Sequence, residues 1–136
     1  MKKIKHALAV SAVALLVVGC VNPVKKQHDE IIGQWRIVDI NGNSINNDKA
    51  LLNFSEDGQV FGSNGCNNVK SSYKPVHDHL NLQPVSSTRK LCQGSAANDE
   101  KLFNDALLQL EHFLVQDNKL MLTDEQDETV ITLVRF

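Results

Sequence analysis

Gly62-Ser63-Asn64-Gly65-Cys66-Asn67 is the stretch on which the reading of this chain turns. It extends the alternating run Gln59-Val60-Phe61, then sets two glycines and two asparagines where a strand would continue. That composition marks a bulge or tight corner at which a side chain would clash. Beyond the corner, Asn67, Val69, Ser71 and Tyr73 fall on one face of a strand, and Asn68, Lys70, Ser72 and Lys74 on the other. Before it, Ala50-Leu51-Leu52-Asn53-Phe54 reads as a strand that returns through the hairpin turn Ser55-Glu56-Asp57-Gly58.

The pattern continues in both directions. Gln34 to Ile40 alternates and ends at Asn41-Gly42, a pair that tolerates positive φ in a hairpin. Trp35, the only tryptophan, is expected to plug one end of the core with its indole nitrogen on an acceptor. Asn43 to Lys49 is polar and turn-rich. Downstream, Leu80 to Leu82 and Pro84 to Thr88 are extended, Lys119 to Thr123 forms a strand, and Thr129 to Phe136 a closing one. Between them Leu102, Phe103, Ala106, Leu107, Leu110 and Phe113 recur at helical spacing, which predicts one helix capped at Asn98 and broken at Asp117-Asn118. The fold class is α+β, mainly β: a small antiparallel rolled sheet or open barrel with one helix packed on it, since curling removes exposed strand edges.

The first residues bear on location. Lys2, Lys3 and Lys5 precede an apolar run from Ala7 to Val18, the form of a secretory signal and too short for a membrane span of about 20 residues. Val17-Val18-Gly19-Cys20 is similar to the bacterial lipobox, with Val17 where leucine is usual. Residues 1–19 are therefore read as a lipoprotein signal peptide, Cys20 as the lipidated residue, 20–30 as a flexible tether and 31–136 as the folded domain. Val21 after the cysteine favours outer-membrane sorting, with the domain on the periplasmic face. Removing residues 1–19 leaves 11 basic residues against 16 acidic. An acidic domain is not a general nucleic-acid binder.

With Cys20 acylated, Cys66 and Cys92 remain. In an oxidising compartment they are expected to form a disulfide; the alternative is a pair of buried free thiols. A redox-active pair is disfavoured by the absence of Cys-x-x-Cys spacing. His77-Asp78-His79 lies between the cysteines in sequence, and a zinc site there would compete with the disulfide for the sulfurs. The plainer reading is a solvated turn. Asp124 to Glu128 lacks the glycine and spaced ligands of a calcium loop. Ser86, Ser87 and Thr88 have no histidine and acid in a recognisable arrangement.

Taken in order, Gly33-x-Trp35, Asn41-Gly42, Phe54, Asp57-Gly58, Gly62-x-x-Gly65-Cys66-Asn67, Tyr73, Thr88, Cys92, Glu100, Phe103 and Leu107 resemble the META domain, the HslJ-like heat-shock lipoprotein family. The family usually carries an aromatic residue and a glycine where this chain has Val69 and Ser71. The resemblance implies a mostly antiparallel fold, an envelope location and a part in heat-shock response, antibiotic tolerance or secretion and motility. It supplies no catalytic residues, and no enzyme, cofactor or metal is expected. Gly62, Gly65, Asn67 and Trp35 are the structural motif residues. The function read from all this is a monomeric, non-enzymatic, lipid-anchored envelope protein that contacts the membrane through its lipid and binds an envelope protein. A second reading, a pilotin-like or chaperone module holding a lipid tail or hydrophobic peptide, predicts an apolar cavity lined by residues such as Leu107 and Leu110.

Overall fold

The computed structural model describes residues 28–83 and 85–135; the signal peptide, Cys20, residues 21–27 of the tether, Pro84 and Phe136 lie outside them. Ten strands and one longer helix follow in order: β1 (Gly33–Ile40), β2 (Asn43–Ser44), β3 (Ala50–Phe54), β4 (Gln59–Asn64), β5 (Asn68–Val76), β6 (His79–Leu82), β7 (Ser86–Ser87), α1 (Ser95–Leu107), β8 (His112–Gln116), β9 (Lys119–Thr123) and β10 (Thr129–Arg135). They build one curled antiparallel sheet, an open half-barrel. The order runs β10-β9-β8-β6-β5-β4-β3-β1-β2, and β10 also pairs with β1. The curl is joined most thinly between β6 and β8, where the registered pairing is His79 with His112.

The expected hairpins stand where turn chemistry put them. Asn41 and Gly42 have φ of 49° and 76°, and Gly58 has φ of 76°. The β3–β4 register sets Leu52 opposite Gly62. A Cβ on Gly62 would lie 2.0 Å from the Leu51 carbonyl oxygen, so glycine there lets two backbones approach. At the start of β5 and along it, Asn67, which precedes the strand, and Val69, Ser71 and Tyr73 are buried while Asn68, Lys70 and Lys74 are exposed, as the period of 2 requires.

Three expectations need correction. The helix begins at Ser95 and ends at Leu107, so neither the Asn98 cap nor the extension to Phe113 holds. Asp117 and Asn118 both take positive φ, 51° and 60°, which makes them the two-residue turn of the β8–β9 hairpin. Phe113 sits in that hairpin opposite Leu122; a single apolar residue fits a helical or a strand period, and the turn decides. In β1, Val38 is only half-buried while Ile37 and Ile40 are buried, because the pairing with β10 shifts register between Ile37 and Asp39 and resets the inward face. Residues 28–31 are helical, and the Arg135 guanidinium donates to the Glu30 carbonyl at 2.6 Å and the Ile32 carbonyl at 3.0 Å.

The core fills the curl with Trp35, Ile37, Leu52, Phe54, Tyr73, Leu80, Phe113, Leu122, Ile131 and Leu133, and α1 adds Phe103 and Ala106 from the open side. Trp35 is fully buried, and its indole N–H donates to the Ile31 carbonyl at 2.7 Å. Among the described residues no helix is long and apolar enough to cross a membrane.

Candidate functional site: the Asn67 corner

The β4–β5 connection is a turn closed by Asn64 N–H donating to the Asn67 carbonyl at 3.0 Å. The Asn64 side-chain oxygen accepts from the N–H groups of Cys66 and Asn67, at 3.1 and 2.7 Å. This is a side-chain substitute for a ladder bond that the chain reversal forbids. The same Asn64 leaves its amide nitrogen without a hydrogen-bond partner among the described residues. Gly65 takes φ of +99°, and a Cβ there would meet the Asn47 amide at 2.6 Å. Asn47 uses that amide on the Gly65 carbonyl (3.1 Å) and on the Asp99 carboxylate of α1 (3.2 Å).

Asn67 joins three segments: its own corner, the loop 88–92 and α1. It is 1% exposed. Its side-chain oxygen accepts from the Lys90 N–H at 2.7 Å and the Thr88 hydroxyl at 2.8 Å. Its amide nitrogen lies 3.2 Å from the Lys90 carbonyl and 2.7 Å from Glu100 Oε1. The side chain therefore pairs with the main chain of Lys90 on both sides, as a peptide group in a neighbouring strand would. Thr88 closes the exchange, since its backbone N–H donates to the Asn68 carbonyl and its hydroxyl accepts from the Asn68 N–H, both at 3.0 Å. Beside this network Cys66 and Cys92 are bonded, with Cα atoms 6.1 Å apart, across 26 positions. The Asn67 amide also lies 3.3 Å from Cys92 Sγ. Gly62, Gly65, Asn67, Cys66 and Cys92 are thus brought together at one corner, while Trp35 lies in the core.

The structure adds partners that spacing did not reveal. Asp99 and Glu100 face Asn47 and Asn67 from the helix instead of supporting its first turn. Asn47 comes from a loop whose composition signalled only a turn. Cys66, Cys92 and Glu100 are close enough to share a metal ion, but bonded sulfurs are not thiolate ligands. The imagined zinc set does not assemble either: His79 pairs with His112, and the sulfurs with each other.

Two open grooves flank the corner. One, of about 740 Å³, is lined by Lys49, Leu51, Gly62, Cys66, Leu91 and Ala96. The other, of about 470 Å³, includes Thr88, Arg89, Leu91, Glu100 and Asn104. Leu91 belongs to both and is 90% exposed, with exposed Arg89 and Lys90 before it. The cavity sought under the helix exists and Leu107 and Leu110 do line it, but its volume is about 20 Å³. That is room for about one water-sized sphere, so the space enclosed there does not hold a lipid tail; an open groove of about 590 Å³ is also lined by Leu107 and Leu110, with Val76 and Leu82.

A sequence profile of the META domain matches residues 29–135. No curated protein matches the chain. An NMR structure of a protein from Burkholderia xenovorans is 21% identical, covers 98% of this chain and 99% of its own, and has a TM-score of 0.63. The crystal structure of a DUF4847 family protein from Bacteroides vulgatus is 20% identical over 76% of this chain and 92% of its own, with a TM-score of 0.53. At these identities the two structures share the fold. The Asn67 corner, the curled sheet and a profile match over nearly all of the described residues converge: the chain belongs to the META domain family.

Proposed function

We propose that this protein is a lipid-anchored envelope protein, held by acylated Cys20 on the periplasmic face of the outer membrane. It acts in stress or antibiotic tolerance by binding another envelope protein and performs no catalysis itself. One observation carries the binding part. The chain enters the fold at the Gly33 end of β1, which pairs with Phe54 at the end of β3, while the Asn67 corner lies beyond the opposite ends of β3 and β4, where Ala50 pairs with Asn64. Four residue steps along β3, from Phe54 to Ala50, separate those ends by roughly 14 Å. Cys20 lies eight positions before His28, a reach of at most about 29 Å. An anchor joined at one end leaves Leu91, Arg89 and Lys90, at the other, available to face the periplasm. An exposed leucine with two adjacent cations suits an apolar pocket with an acidic rim on a protein partner. The side chains at the corner are engaged in holding the loop, which supports a recognition role.

The experiment compares variants in cells lacking the native copy. Leu91→Asp should stay in the outer-membrane fraction yet fail to restore tolerance, and a photo-crosslinker at position 91 should capture a protein that one at Glu56 does not. Full restoration by Leu91→Asp overturns the binding face. Cys20→Ser should move to the soluble periplasm; its retention in the membrane overturns the anchor.

A further inference from the structure

The thinnest join of the sheet is also where two imidazoles meet. His79 on β6 is registered opposite His112 on β8. The flanking bonds are Leu80 N–H to the Glu111 carbonyl, 2.9 Å, and Phe113 N–H to the Asp78 carbonyl, 2.8 Å. The histidines are therefore a non-hydrogen-bonded antiparallel pair, the kind that brings opposing side chains closest. Their ring centroids are 4.3 Å apart, with planes tilted by 58°. Two imidazoles that each set a nitrogen about 2.0–2.1 Å from one metal ion have centroids roughly 4.5–5 Å apart, so a small side-chain rotation suffices.

The second observation is how His112 is held. Its Nδ1 lies 3.2 Å from the Asp124 carbonyl oxygen and 3.4 Å from Asp127 Oδ1. Both are acceptors, so Nδ1 is the nitrogen that donates, and Nε2 is the atom left to face a metal ion. This is the arrangement that orients a ligating histidine. His112 is 18% exposed at its side chain and packed in place, whereas His79 is exposed and free to turn. The Asp127 carboxylate brings negative charge to the same spot, while Asp124 contributes its main-chain carbonyl, its carboxylate accepting from the Gln126 and Glu128 N–H groups.

We propose that His79 and His112 bind a divalent transition-metal ion, copper or zinc, across the β6–β8 seam, with water or an external ligand filling the remaining positions. Imidazole donors suit these ions, and copper(II) binds more tightly than zinc(II). Sequence spacing pointed to His77 and His79 with the cysteines; the second imidazole comes instead from a strand after the helix. Because the ion would link two strands, binding would also stabilise the fold.

The test uses the untagged full chain. Titration with Cu²⁺ should show one equivalent bound, with electron paramagnetic resonance reporting two coordinated nitrogens, and Zn²⁺ should bind the same site by calorimetry. His79→Gln and His112→Gln should each weaken binding roughly tenfold or more, and His77→Gln should bind as the parent does. No saturable binding, or affinity unchanged in His79→Gln, overturns the site. His79 is exposed, so that variant keeps the test valid even if His112→Gln fails to fold by circular dichroism.

Discussion

The two ends of the curled sheet are closed by different physics. At the chain-entry end Trp35 is fully buried, with its indole N–H on the Ile31 carbonyl and the Arg135 guanidinium 4.2 Å from its ring centroid. That closure depends on apolar area and shape, with a single indole hydrogen bond. At the other end Asn67 is equally buried but is held by directed bonds to Thr88, Lys90 and Glu100 and by the adjoining disulfide. Burial of similar depth thus has two meanings. Shape closure tolerates chemical change that keeps volume, whereas a directed network fails when one donor becomes an acceptor.

Substitutions at the two ends sharpen this contrast, and the largest loss is expected at the entry end. Trp35→Ala should cost roughly 3–5 kcal/mol in urea unfolding, with Trp35→Phe recovering much of it; equal losses for both would contradict the shape argument. At the corner, replacing Cys66 and Cys92 together with alanine removes a cross-link over 26 positions, worth about 3.5 kcal/mol by chain entropy. The same loss should follow from reducing the native protein, read as a fall in its denaturation midpoint. Asn67→Asp keeps shape and volume but sets an oxygen against Glu100, now 2.7 Å from the amide. About 2–3 kcal/mol should be lost at neutral pH, with part of it returning as the pH falls and the new carboxyl, raised above the ordinary aspartate range by burial and by Glu100, takes up a proton. A neutral result at pH 7 would show that the network is not directional.

The smallest effect returns to the entry end. The Tyr73 hydroxyl donates to the Ser55 carbonyl at 3.1 Å. Burial, with the charge of Asp57 adding to it, raises the phenol above its ordinary value of 10.0. The folded state therefore holds this proton longer than the unfolded state does. The stability involved is complete below about pH 10 and is lost as pH rises through the folded value. Tyr73→Phe should cost about 1 kcal/mol at pH 7, and that gap should narrow above pH 10 because phenylalanine does not titrate. A gap constant with pH would exclude the linkage.

Much of the fold is legible in residue order. The period of 2 in Asn67 to Tyr73 and the turns at Asn41-Gly42 and Asp57-Gly58 act over a few neighbours, so their outcome is written locally. Phe113 was misread because one apolar residue satisfies two periods, and β2 was not anticipated because two residues carry no period. The corner was half legible: its glycines, Asn67 and the two cysteines stood out, but Asn47 and Asp99 gave no signal of their own.

What the sequence determined alone is therefore most of the strands and turns and the residues crowded into the glycine-rich corner, since backbone preference and hydrophobic alternation are short-range. The curl of the sheet decided the rest. It brought Glu100 to Asn67, β10 to β1 and His112 to His79, because contacts between distant segments depend on the summed twist and register of every strand between them.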